Sequence, residues 1–427
     1  GDFSVTGTAN PNTFLRYGGK LTISGTGDNQ VLFDPQPQGV LVLQGAGLDV
    51  SGAGSLSFGG LMALGTTGNP ESRVDIRDTK QVTYSATQYV SQSDYSVNAQ
   101  DVRVSAQVQT PTSYETGGFL ALAGSDVTID AGAFSLDVLY APENCTPACD
   151  YSAATAFFGL LSEGQLTLKT ASDARYLMNM DIGFTSMPLD SAGSISGLAR
   201  SSNTDVVVAA VRGPAVDQRA TLDISNAGAN TFSLYDLKSG TVPNVRRGFL
   251  ASVLGASYGS LTVSGRENRI GFESTAATGT PLYNPSAWYV FMDGLETHNR
   301  GSIRLTATGG SNSVFLDRPA SYVHGVSSSP FGGESLIEML APKGENVITV
   351  HPVLNAEIAA SRAKLLTETT GVYVSTFASA ADALAAGSIT PNTVRLNAQA
   401  NRIDVAGASM YVSGLLAQHR SRIELNR

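Results

Sequence analysis

Residues 301–316, Gly301-Ser302-Ile303-Arg304-Leu305-Thr306-Ala307-Thr308-Gly309-Gly310-Ser311-Asn312-Ser313-Val314-Phe315-Leu316, carry the pattern that decides the fold. Ile303 and Leu305 flank an arginine, so one face of that short strand is dry and the other wet. A polar corner with Asn312 follows, and Val314 and Leu316 then open a second strand with the same spacing of two.

The phrase recurs along the chain. Gly259-Ser260-Leu261-Thr262-Val263 leads to Asn268, Ile270 and Phe272, and Ser335-Leu336-Ile337-Glu338-Met339 leads to Asn346, Ile348 and Val350. Thr393-Val394-Arg395-Leu396 leads to Asn401, Ile403 and Val405. Leu222-Asp223-Ile224 precedes Asn230, Phe232 and Leu234; Leu21-Thr22-Ile23 precedes Asn29, Val31 and Phe33. Val127-Thr128-Ile129, followed by Phe134, Leu136 and Val138, is a weaker copy. A third, aromatic and aliphatic segment precedes many copies, as in Phe119-Leu120-Ala121, Phe249-Leu250-Ala251, Trp288-Tyr289-Val290-Phe291 and Val372-Tyr373-Val374.

A unit of three strands joined by corners, repeated many times, predicts a solenoid. Tight Asn-Gly or Asp-Gly hairpin turns are scarce, which disfavours the four-stranded blades of a propeller. The expected fold is therefore all-β: a right-handed, three-sided parallel β-helix over residues 1–427, with about a dozen to sixteen coils. Each strand would pair with its equivalent one coil away, and corner asparagines would stack and bond to one another. Loop insertions are expected near 78–116, 141–154, 186–204, 273–286 and 376–391, the last with a short helix around Ala378 to Ala386.

Composition agrees. Of 427 residues, 45 are Gly and only 15% are charged, while 42% are hydrophobic, enough for a long core. The net charge of −9, without basic runs, argues against nucleic acid as a partner. No apolar stretch nears the roughly 20 residues that cross a bilayer as a helix.

Signals for chemistry are weak. Gly255-Ala256-Ser257-Tyr258-Gly259 matches a nucleophile elbow, but a strand rather than a helix follows it. His298, His324, His351 and His419 are dispersed and expected at corners or in solvent. Asp181, Asp190, Asp205, Asp217 and Asp223, or Asp75, Asp78, Asp126 and Asp130, could line a groove as glycoside-cleaving acids, yet no Asp-Asp pair occurs. Gly25-Thr26-Gly27-Asp28 is half of one calcium repeat. No catalytic residue, cofactor or metal is expected. Cys145 and Cys149, with three residues between them, are expected to form a small disulfide ring in an oxidising compartment.

What remains is surface. Arg304 and Arg395 sit outward between inward apolar residues, and Arg269 and Arg402 each follow a corner asparagine. With Arg266, Arg300 and Lys343 they form a candidate face for an anionic glycan. Tyr84, Tyr89, Tyr95 and Tyr114, set among small polar residues, suggest a contact loop.

The recurring Gly-Ser-[Leu/Ile]-x-[Leu/Val]…Asn-x-[Ile/Val]-x-[Leu/Phe] coils, over roughly residues 19–427, resemble passenger domains of monomeric Gram-negative autotransporters, the AIDA-like and antigen 43-like adhesins. The resemblance implies export across both membranes and display at the cell surface, with membrane attachment only through a C-terminal β-barrel translocator. No barrel pattern occurs here, so the chain is expected to end within a longer passenger. The resemblance also implies adhesion to host matrix, with glycosaminoglycans and fibronectin-type proteins as partners. Self-association leading to aggregation and biofilm is the second reading, and a polysaccharide-degrading enzyme the third.

Overall fold

The computed structural model describes residues 3–5, 13–25, 30–33, 39–65, 71–108, 118–122, 124–140, 155–161, 164–180, 206–212, 220–236, 248–274, 289–316, 322–328, 333–351, 368–377, 379–407 and 411–427. It is almost all β, 75% strand and 2% helix, with parallel sheets in a ring-like arrangement. Successive segments fall in turn on three ladders, and each strand pairs with its equivalents one rung before and after. The first ladder starts at Lys20–Ser24 and ends at Arg422–Asn426, and the third runs from Thr13–Leu15 to Tyr411–Gln418. The second begins at Phe3–Val5 and includes Asn312–Leu316. Five long strands, Ser72–Tyr84, Ser93–Val108, Ser125–Tyr140, Leu336–Val350 and Thr393–Val405, serve the first ladder with their N-terminal halves and the second with their C-terminal halves.

The register matches the sequence phrase. Leu222, Leu261, Ile303, Ile337 and Val394 follow one another in one inward row of the first ladder, and Ile224, Val263, Leu305, Met339 and Leu396 in the next. All are buried in one continuous hydrophobic core. Each such side chain contributes about 2 kcal/mol on leaving water, as an upper estimate.

The inward rows of the second ladder change character along the stack. One row begins with Val31, Leu56, Val82, Val102, Phe134 and Ala174, then becomes Asn230, Asn268, Asn312, Asn346 and Asn401. Its neighbour holds Phe58, Tyr84, Val104, Leu136, Tyr176 and Phe232. Phe33, Phe58 and Tyr84 stack at 5.0 and 5.5 Å, and Tyr176 stacks on Phe232 at 4.4 Å. The early rungs thus carry aliphatic side chains and several rings here, and the later ones a row of amides.

The amides form the expected ladder. Asn230 donates to Asn268 Oδ1 at 2.9 Å, Asn268 to Asn312 at 2.8 Å, Asn312 to Asn346 at 2.9 Å and Asn346 to Asn401 at 2.9 Å. Each also donates to a main-chain oxygen of the first ladder: Ser264, Thr306, Leu340, Met339 and, for Asn401, Asn426. These asparagines stand at the start of the second-ladder segments and point inward, and the first four are fully buried.

Corners from the third ladder to the first use a turn with positive φ at both central residues. Tyr17-Gly18, Gln44-Gly45, Asn299-Arg300 and His419-Arg420 occupy it, each closed by a bond between the flanking residues. Gly255-Ala256-Ser257-Tyr258-Gly259 is also a corner from the third ladder to the first, but with one residue, Tyr258 at φ 52, between strand Gly248–Ser257 and strand Gly259–Gly265.

Two expectations about loops need correction or relocation. The region 78–116 is not an insertion as far as residue 108, because Gln88–Ser91 and the strands on either side of it are ordinary rungs. Residues 273–274 close strand Glu267–Ser274. Helix Ala380–Ala385 lies in the expected 376–391 insertion, with Ser379 accepting from the Asp382 N–H at its start. The 141–154 and 186–204 regions, most of 273–286, Tyr114, Cys145 and Cys149 lie outside the described residues.

Candidate functional site

The structure divides the seven cations among four places. Arg304 and Arg395 are outward on the first ladder, in the row Thr262, Arg304, Glu338, Arg395, Glu424. Arg269 and Arg402 are outward on the second ladder, in the row Arg269, Ser313, Val347, Arg402. Arg266 and Lys343 sit at corners between these ladders, and Arg300 at a corner between the third and the first. The single basic face expected from sequence is therefore not formed, because positions one residue apart on a strand, or on either side of a corner, look in different directions.

Most of these cations already hold a carboxylate. Arg304 Nε lies 2.7 Å from Glu338, Arg395 Nη1 is 3.2 Å from Glu338, and Arg395 Nε is 2.7 Å from Glu424. Arg422 adds a contact to Glu424 at 3.3 Å. The hydrogen bond to Glu424, then that to Glu338, holds the Arg395 guanidinium more firmly in its charged form. Arg395 in turn keeps the Glu424 carboxyl below the usual carboxylate range. Arg269 pairs with Glu267 at 2.9 Å, Arg300 with Glu334 at 3.3 Å and Arg402 with Glu345 at 3.9 Å. Such exposed pairs add little stability, but they neutralise the arginines towards a polyanion.

The tyrosines are also relocated. Tyr95 fills the inward slot held by Val74 and Val127 on adjacent rungs, and Tyr84 the slot held by Phe58 and Val104. Both are fully buried, and their hydroxyls meet at 2.5 Å inside the core. They are core residues, not ligand contacts. Burial raises both phenols well above the ordinary tyrosine pKa. Tyr89 is half-buried on the third ladder, in register with Met62 and Leu120.

Sequence reasoning missed a polar cluster on the outward side of the third ladder. His324 Nδ1 lies 2.7 Å from Asp293 on the preceding rung, and its Nε2 is 3.7 Å from Glu368 on the next. Thr370 donates to Glu368 at 3.0 Å, and the Tyr373 ring stacks on the imidazole at 4.9 Å. His298 Nε2 is 2.8 Å from Glu296. The His324 imidazole thus lies between two carboxylates and is hydrogen-bonded to that of Asp293. Asp293, Glu296, His298 and His324 are all buried, so neither histidine is a solvent residue, although His298 closes its strand at the Asn299-Arg300 corner.

A readable signal for this cluster was the phrase x-Gly-[Leu/Val] in Asp293-Gly294-Leu295, His324-Gly325-Val326, Thr370-Gly371-Val372 and Ser413-Gly414-Leu415, which marks one column of the third ladder. Its glycines face inward: a Cβ on Gly325 would lie 2.4 Å from Ile348 Cγ2, and one on Gly371 2.4 Å from Ile403 Cγ2. Among the described residues, no group of three His, Cys, Asp or Glu is arranged to hold a metal ion. In comparison with known proteins, the chain matches no family model, no curated protein sequence and no solved structure.

Proposed function

We propose that this chain is the extracellular rod of an autotransporter adhesin: a right-handed, three-sided parallel β-helix, displayed at the bacterial surface, that binds host matrix and carries no catalytic role. The observation that carries the reading is the in-register repetition of outward rows over the stack, from Thr22, Asp49 and Asp75 to Arg395 and Glu424 on the first ladder. At about 4.8 Å per rung, the twelve rungs among the described residues make a stack on the order of 55 Å long, a surface suited to extended partners. Because the arginines are paired with carboxylates, fibronectin-type proteins fit this surface better than glycosaminoglycans do. A solid-phase assay against fibronectin, other matrix proteins and heparin-type glycans tests it. Saturable binding to a matrix protein is expected, and absence of binding to every component would remove the reading.

The second reading is rod-to-rod association. The + − + − order of Arg304, Glu338, Arg395 and Glu424 supports it, since two copies offset by one rung bring opposite charges together. Sedimentation at rising concentration discriminates: a strict monomer at low salt counts against it.

A further inference from the structure

At the corners of three consecutive rungs, Arg300, Gly333, Glu334, Ser388, Ile389 and Thr390 line a hollow of about 390 Å³. We infer that this hollow binds one or two pyranose units of a neutral glycan. The inference rests on the adhesin reading for its setting and names a ligand class for one place on the rod.

The walls are held firmly. Glu334 donates its N–H to the Thr390 carbonyl at 3.0 Å, and Ser335 donates to Asn392 Oδ1 at 3.0 Å, which fastens residues 388–392 over the rung below. Gly333 is needed for this approach, because a Cβ there would lie 2.3 Å from the Thr390 oxygen. From the rung above, Arg420 donates to the carbonyls of Ala386 and Gly387 at 3.1 and 2.9 Å. The insertion is thereby clamped from both sides, so little ordering is left to be done on binding.

The lining has the chemistry of a sugar site. Arg300 and Glu334 form an exposed pair whose donors and acceptors remain open to solvent on one side, their side chains being 53% and 49% exposed. Such a pair has no net charge to attract an anion, yet presents strong donors and strong acceptors together, as neighbouring sugar hydroxyls require. Ser388 and Thr390 supply hydroxyls, and Ile389, 40% exposed, supplies an apolar surface for the C–H face of a ring. Arg300 takes its positive φ of 63° from the corner turn it shares with other rungs, and Glu334 stands at 74°.

The test is saturation-transfer NMR and calorimetry with galactose-, mannose- and N-acetylglucosamine-terminated neutral trisaccharides, on the wild type and on R300G, E334Q and R269A. R300G removes the guanidinium while relieving a left-handed φ, so loss of binding is not loss of fold. Binding at roughly millimolar strength is expected, weakened about tenfold or more by R300G and by E334Q and unchanged by R269A. No saccharide binding at about 10 mM, or binding indifferent to R300G and E334Q, overturns the inference; so does a peptide panel that occupies the hollow when no sugar does. If R300G still binds matrix protein while no sugar binds the wild type, the hollow fails and the adhesin reading stands. If sugars bind the hollow but the rod engages neither matrix nor itself, the adhesin reading fails alone.

Discussion

Asn268 uses both of its amide protons, one for Asn312 Oδ1 and one for the Thr306 carbonyl, while its own oxygen accepts from Asn230. Removing it strands three buried polar groups, and a stranded group costs more than the bond it lost. Asn268→Ala is therefore expected to destabilise by about 2–4 kcal/mol, and Asn401→Ala, at the half-buried end of the row, by about 1, both read from denaturant midpoints. The tyrosine pair obeys the same logic with a different outcome. Tyr84→Phe leaves the Tyr95 hydroxyl alone in the core and is expected to cost about 1–3 kcal/mol, whereas the double Phe variant should recover most of it; additive losses would contradict the model of one shared bond. Both phenols, and that of Tyr176, are held above the ordinary tyrosine pKa by burial. A raised folded-state pKa keeps its stabilising share below the unfolded value of about 10 and loses it as pH rises beyond. Stability should thus fall above about pH 10, with these phenolates appearing in the ultraviolet spectrum only as the chain unfolds.

Strands were legible wherever one inward residue in two was aliphatic, which is why the Asn-bearing rungs align in the structure as they do in sequence. The rungs between residues 72 and 108 follow the same rule, with Tyr95-Ser96-Val97 standing where Leu48-Asp49-Val50 stands earlier. A tyrosine among small polar residues suggested a contact loop, but the spacing of two outweighs the residue type, since a phenol can be buried if its hydroxyl finds a partner. The outward cluster around His324 was hidden for the opposite reason: Asp293, His324 and Glu368 are 31 or more residues apart and meet only through rung register. The glycine column beside them was in plain view. Gly325→Ala should destabilise by about 2 kcal/mol or more, because the added methyl meets Ile348 Cγ2 and the Gly371 carbonyl. Corners respond in the other direction. Asn299→Gly, at φ 46, is expected to raise stability by up to about 1 kcal/mol, and a loss in thermal melting would contradict a left-handed turn there.

Along the whole molecule, the charged rows decide which partners are excluded as much as which are admitted. Asp49 and Asp75 share the first-ladder row that later holds Arg304, Glu338, Arg395 and Glu424. At one end of this row the carboxylates are themselves paired, Lys20 on Asp49 and Arg73 and Arg77 both on Asp75, and at the other the charges alternate. A polyanion gains little counterion release from cations that already hold carboxylates. Glu338→Gln, combined with Glu424→Gln, removes the partners of Arg304 and Arg395 without changing side-chain volume. This double variant is expected to gain heparin-type binding that weakens steeply between about 50 and 200 mM salt, while the wild type shows little binding and little salt dependence. The same change converts + − + − into two unopposed cations, so any low-salt rod-to-rod association through this row should decline in sedimentation at matched concentration. Wild-type heparin binding as strong as that of the variant would mean that the pairing does not govern recognition, and that the polyanion reading should be restored over the protein-binding one.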